Sequence, residues 1–183
     1  MALIFTTRFL EDSQAVFRQH KALAEGAMAQ VSDEEFFCAL DPESNSIALV
    51  VKHLAGNMRS RWTDFLTSDG EKPWRNRDSE FEDRRDLSRV QLVEQWEAGC
   101  EIVLSTLKSL ADSDLESTIT IRGEKHSVMQ AINRQIAHYA YHVGQIVFLS
   151  KHFRSTQWKT LSVARNKSGE FNRQVENREL SQR

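Results

Sequence analysis

Two histidines, His138 and His142, stand four residues apart in Ile136-Ala137-His138-Tyr139-Ala140-Tyr141-His142-Val143-Gly144-Gln145. On a helix that spacing turns both imidazoles to one face, where they can share a metal ion. A third, His53, lies far upstream in Val50-Val51-Lys52-His53-Leu54-Ala55-Gly56-Asn57, itself a helix-patterned segment. A bundle that joins the two segments would offer three neutral nitrogens to a divalent ion and leave positions open for water or substrate. The H-x-x-x-H pair alone is weak support, since histidines at that spacing also occur solvated or satisfied within a core. Tyr139 stands where a metalloprotease H-E-x-x-H would carry its glutamate, which disfavours peptide hydrolysis by that route. His20 falls on an apolar stripe and reads as a core residue with a ligand role only in reserve. His126 and His152 sit near helix ends, where solvent or the helix dipole explains them.

Four long helices and one long connection must position these rings. Phe5, Phe9, Val16, His20, Leu23 and Ala27 mark the first, over about 7–30. Ser32 with Glu35 has the capping-box pattern for a short helix that Asp41-Pro42 stops. Ser44-Asn45-Ser46 offers caps for the second long helix, about 47–67. The stretch from Thr67 to Leu87 is dense in charge without apolar period and reads as a loop, long enough to cross back along the bundle. Ser88 with Gln91 caps the third, about 89–111, whose seam is Val93, Trp96, Cys100, Val103, Leu107 and Leu110. Thr118 to Ile121 alternates with period two and reads as an extended piece too isolated to make a sheet. Ser127 with Gln130 caps the fourth, about 128–153.

On that last helix Ala131, Gln135, His138, His142, Gln145 and Leu149 form a strip beside the apolar set Ile132, Ile136, Tyr139, Val143 and Ile146. The second long helix matches it, with Leu49, His53, Asn57, Ser60 and Asp64 beside Val50, Val51, Leu54, Met58 and Phe65. Facing strips of this kind invite a shared buried site. Asn57 and Gln145, each close to a histidine, can orient water, substrate or a ligand ring, although a structural amide role is equally available to both. No general base is evident, because Asp64 is three turns from His53 and Glu124 precedes the helix.

A chain of 183 residues with 40% hydrophobic content, two prolines and seven glycines suits one mostly helical domain over 1–175, with 176–183 as a disordered tail. The longest aliphatic run, Ile47 to Val51, cannot span a bilayer, and Met1 to Leu10 lacks the apolar stretch of a signal peptide, so a cytoplasmic protein is expected. Cys38 and Cys100 are too few for a disulfide framework and read as reduced, buried hydrophobes. A net charge of -2 argues against nucleic acid as a partner, and the seven Lys/Arg against three Glu from Phe153 to Arg183 read as a solvated tail.

The segments Asn45-Ser46-Ile47-Ala48, His53-Leu54-Ala55-Gly56-Asn57, Ser60-Arg61-Trp62, Asp69-Gly70-Glu71, Arg75-Asn76-Arg77-Asp78 and Ile132 to Ile146 together resemble the DinB-like superfamily, in an uncharacterised bacterial branch, over Phe5 to Phe171. The resemblance implies an all-α four-helix bundle in up-down-down-up order, with the long crossover between the second and third long helices. It also implies a divalent metal on His53, His138 and His142, and three imidazoles suit zinc, nickel, iron or copper alike. Characterised relatives include transferases and isomerases that use a low-molecular-weight thiol such as bacillithiol, mycothiol or glutathione. The functional expectation is therefore a metal-dependent enzyme on a small-molecule substrate, an S-transferase or related hydrolase. Its alternative is a non-catalytic, metal-stabilised, stress-related binding protein. A homodimer is expected from the resemblance and from Trp62, Trp74 and Trp158 lying outside the clearest seams.

Overall fold

The computed structural model describes residues 8–82 and 86–180, so Phe5 and the start expected for the first helix lie outside the described residues, as do 83–85 of the crossover and 181–183 of the tail. The protein is mostly helical. Four long helices, α1 (Phe9–Met28), α3 (Ile47–Trp62), α4 (Arg89–Ser109) and α5 (Val128–Arg154), surround one hydrophobic core. The short α2 (Asp33–Phe37) and the terminal α6 (Ser168–Glu176) flank them. Serines start most of them as expected: Ser32, Ser46, Ser88 and Ser127 each accept a first-turn amide. Glu35, Gln91 and Gln130 complete capping boxes by accepting from the cap amide. α3 packs most extensively on α4 and α1 on α5, while α3 also meets α5 along the face that carries the site.

α3 ends at Trp62, five residues earlier than its apolar pattern suggests. Thr63 turns extended and Asp64 adopts a left-handed φ of 49°, while the amides of Thr67 and Ser68 donate to its carbonyl. Phe65 keeps its core position without being helical, stacked on Trp62 with ring centroids 4.9 Å apart. Trp62 itself, expected outside the core seams, is instead fully buried, edge-on to Phe17. Cys38 corrects a second expectation: it is exposed, because α2 stops at Phe37 and the chain continues extended along the surface. Cys100 is buried, and its burial pushes the thiol up to about 12.

The extended piece Thr118–Ile121 (β1) is not isolated. It pairs antiparallel with Glu124–Ser127 (β2), with Ile121 opposite Glu124. The two-residue turn places Arg122 at φ 57° and Gly123 at φ 76°, the doubly left-handed conformation that follows strand twist. Sequence alternation missed β2 because Glu124, Lys125, His126 and Ser127 carry no apolar face. Beyond Arg154, α6 buries no residue, and Trp158 and Leu161 are the side chains there that pack against the core, whereas Val163 is exposed.

Candidate metal centre

His53 leaves α3 toward α5, and His138 and His142 leave α5 toward α3. One ring nitrogen from each lies within 4.8 Å of the others, among the described residues. His53 and His142 are buried and His138 half-buried, with ring centroids 4.7 to 5.3 Å apart. Which nitrogens face inward is fixed by their partners. His53 Nδ1 lies 2.9 Å from Glu80 Oε2, and His142 Nδ1 lies 2.9 Å from Gln145 Oε1. Burial would raise the Glu80 carboxyl, but hydrogen bonds from His53 and Arg75 hold it below its ordinary value. An ionised carboxylate and an amide oxygen only accept, so both Nδ1 atoms donate, which in a neutral ring leaves Nε2 to present the lone pair.

His53 Nε2 stands 3.3 Å from His138 Nε2. Two nitrogens bound tetrahedrally at about 2.0–2.1 Å would stand about 3.4 Å apart, so this separation already suits a shared ion. Burial first, then the fields of His142, His53, Arg61 and Arg75, pushes His138 down to about 3 and keeps it neutral. His142 is also lowered, chiefly by burial, with Gln145 opposing. Imidazoles of which two already have outer partners in place are a donor set that suits a divalent metal. His20 is not part of this cluster: it is half-buried among Phe17, Trp96 and Cys100.

Glu80 is the functional residue that sequence reasoning missed. It lies on a 3₁₀ turn (Asp78–Phe81) inside the crossover, in a run of charges with no period to single it out. Arg75 donates to it twice, Nε to Oε1 and Nη2 to Oε2, each at 2.8 Å, with the arginine almost fully buried. The available signal was Gly56, one turn beyond His53 in mid-helix. A Cβ there would stand 2.3 Å from Glu80 Oε1, so glycine lets the carboxylate reach the histidine. Phe81 then covers the His53 ring at 4.8 Å between centroids, and Arg77 stacks on Phe81.

Of the two amides singled out from sequence, Gln145 orients His142 directly. Asn57 accepts from Tyr139 Oη at 3.1 Å, while Tyr139 Oη accepts from Trp62 Nε1 at 3.0 Å, so Asn57 is fixed from the core side. Both amides line, with the triad, a cleft of about 380 Å³. Gln135, on the same strip, is buried in the cleft wall with its Oε1 unpartnered. Ser60 turns away from the triad: its Oγ donates to the Gly70 carbonyl and accepts from the Lys72 amide, pinning the crossover.

Residues 4–167 match the family described as protein of unknown function (DUF1572). The chain belongs to that family. Among curated proteins, none matches it. Membership in DUF1572 supplies no reaction by itself, and the chemistry rests on the residues above.

Proposed function

We propose that this DUF1572 protein is a metal-dependent enzyme for a small-molecule substrate, with a zinc, nickel or iron ion held by His53, His138 and His142. The observation that carries this reading is the convergence of three inward ring nitrogens beside an open cleft. An ion bound there would lower the pKa of a coordinated water or low-molecular-weight thiol toward neutrality. The chain's own residues supply the frame. Glu80 and Gln145 fix the ligand tautomers, Arg75 keeps Glu80 ionised, and Phe81 shields the His53 ring. No cysteine lines the cleft, so a water or an external thiol is the nucleophile this arrangement favours. Asn57, held by Tyr139, is offered to orient it.

In the same reading DUF1572 is a branch of the DinB-like superfamily, 1–175 is one domain, and α1, α3, α4 and α5 form an up-down-down-up bundle with its crossover after α3. The pairing of α3 with α4 and α1 with α5 is compatible with that order. No helix among the described residues is long and apolar enough to cross a membrane, which suits the proposed cytoplasmic location. The homodimer rests on less than the sequence suggested, since Trp62 is buried and Arg59 covers the ring of the half-exposed Trp74. Sedimentation as a monomer at micromolar concentration would remove it.

The alternative, a metal-stabilised binding protein, requires a sealed and fully coordinated ion. The cleft and the lack of a fourth Cys, Asp, Glu or His in the cluster, among the described residues, favour catalysis. The test begins with metal analysis of wild type and His53→Ala purified without a nickel column: stoichiometric metal in the first and loss in the second are expected. A panel of thiols and electrophiles is then assayed with metal-loaded wild type and His142→Ala. Equal rates for the two would overturn the enzymatic reading.

A further inference from the structure

The wall of the cleft over the triad carries five arginines, Arg61, Arg75, Arg77, Arg122 and Arg134, and no carboxylate among the described residues. Three acids pair with them, the exposed Asp78 standing 4.0 Å from Arg77 Nη1. Glu71 accepts from Arg61 Nη2 at 3.0 Å and from Arg122 Nε at 2.9 Å, and Glu80 is taken by Arg75 and His53. Five guanidinium charges against three carboxylates, one of them exposed, leave a cationic excess in a space bounded by protein, where low-dielectric walls concentrate the field.

The arginines divide by what already occupies them. Arg61 is committed, since it also donates to the Gly70 carbonyl. Arg75 is committed through Nε and Nη2, while its buried Nη1 makes no hydrogen bond and lies 4.0 Å from Glu71 Oε2. Arg122 gives only Nε to Glu71, and the left-handed turn that presents it is held by Asp69, which accepts from the amides of Arg122 and Gly123, each at 2.8 Å. Arg134 is exposed on α5, one turn before His138, with no ion-pair or hydrogen-bond partner among the described residues. Uncommitted guanidinium forks around a concave site match the oxygens of phosphate and carboxylate.

We propose that this cleft recognises its ligand through an oxyanion, a phosphate or carboxylate group, held by Arg122 and Arg134 with Arg75 behind them. The inference rests on the cleft being the substrate site proposed above, but it does not require the metal to be present. The two acceptor types are separated by titrating metal-free protein calorimetrically with inorganic phosphate and, independently, with succinate. One of these is expected to bind at one site per chain, and the tighter of the two names the group. Arg134→Gln and Arg122→Gln should each weaken that binding about tenfold or more, the scale of a charge-assisted hydrogen bond. Lys151→Gln, on the exposed face of the same helix outside the cleft, should leave it unchanged. Because Arg134 has no structural partner among the described residues, its variant decides the matter even if Arg122→Gln misfolds. Absence of binding by both probes, or equal weakening by Lys151→Gln and Arg134→Gln, overturns the proposal. Metal content measured on the same preparations keeps the two readings apart. Anion binding by a chain that takes up no metal defeats the metal centre alone, and metal uptake without anion binding defeats the oxyanion site alone.

Discussion

His53 is a ligand candidate because of residues on the crossover as well as on its own helix. Its ring is aimed by Glu80, and Glu80 is kept charged by Arg75 and admitted by the missing side chain of Gly56. Glu80→Gln retains an acceptor for Nδ1 but removes the charge, and should lower zinc affinity about tenfold to a hundredfold in a chelator competition. Unchanged affinity would mean that the carboxylate serves only Arg75. Gly56→Ala separates the site from the fold more sharply. Alanine is the better helix former by about 1 kcal/mol, yet its Cβ collides with Glu80, so α3 should keep its helicity by circular dichroism while zinc affinity falls. Full zinc affinity in Gly56→Ala would show that Glu80 is not needed where it lies.

The long helices were legible as elements because their apolar residues recur at three and four and serines cap α3, α4 and α5, and His138, His142 and Gln145 followed from the same period. The turn chemistry around them was not. α3 stops at a left-handed Asp64 that no period marks, and the polar strand β2 is specified by its partner and by the turn at Arg122 and Gly123. The crossover looked featureless for the same reason, although its segment Asp69-Gly70-Glu71 docks on that turn, with the Gly70 amide donating to the Thr120 carbonyl at 2.8 Å. Asp69 is the clasp between the two elements. Burial opposes its ionisation, but the amides of Glu71, Gly123 and Arg122 more than offset this and hold it at about 2. A folded-state pKa below the unfolded one adds stability that is fully present above about pH 4 and is lost as pH falls toward 2. Asp69→Asn should therefore destabilise by about 1 kcal/mol near neutrality, allowing for solvent screening, with the gap to wild type closing in acid. A gap that persisted unchanged at pH 2 would place its origin elsewhere.

At the scale of the molecule, the site stands beside the apolar core and is joined to it through the Trp62–Tyr139–Asn57 hydrogen bonds. Trp62, Phe17 and Tyr139 meet edge-on at 5.5 to 5.6 Å beneath Asn57, and the apolar residues of all four long helices join one cluster that the triad does not enter. That separation predicts how the protein responds to metal removal. In a small zinc domain the ion replaces a core, so stripping it unfolds the chain. Here the buried seams are long enough to fold without help, and two of the three triad imidazoles already have a satisfied Nδ1. Chelator-treated protein should keep its far-ultraviolet circular dichroism and a cooperative thermal transition. Added zinc should raise the midpoint by mass action, worth about 4 kcal/mol at a thousandfold excess over Kd. The rise should disappear in His138→Ala, whose own metal-free transition should stay close to that of wild type because the half-buried ring leaves no large cavity. Loss of helicity on chelation would instead make the ion a structural member of the core, and would return the balance to the binding-protein alternative.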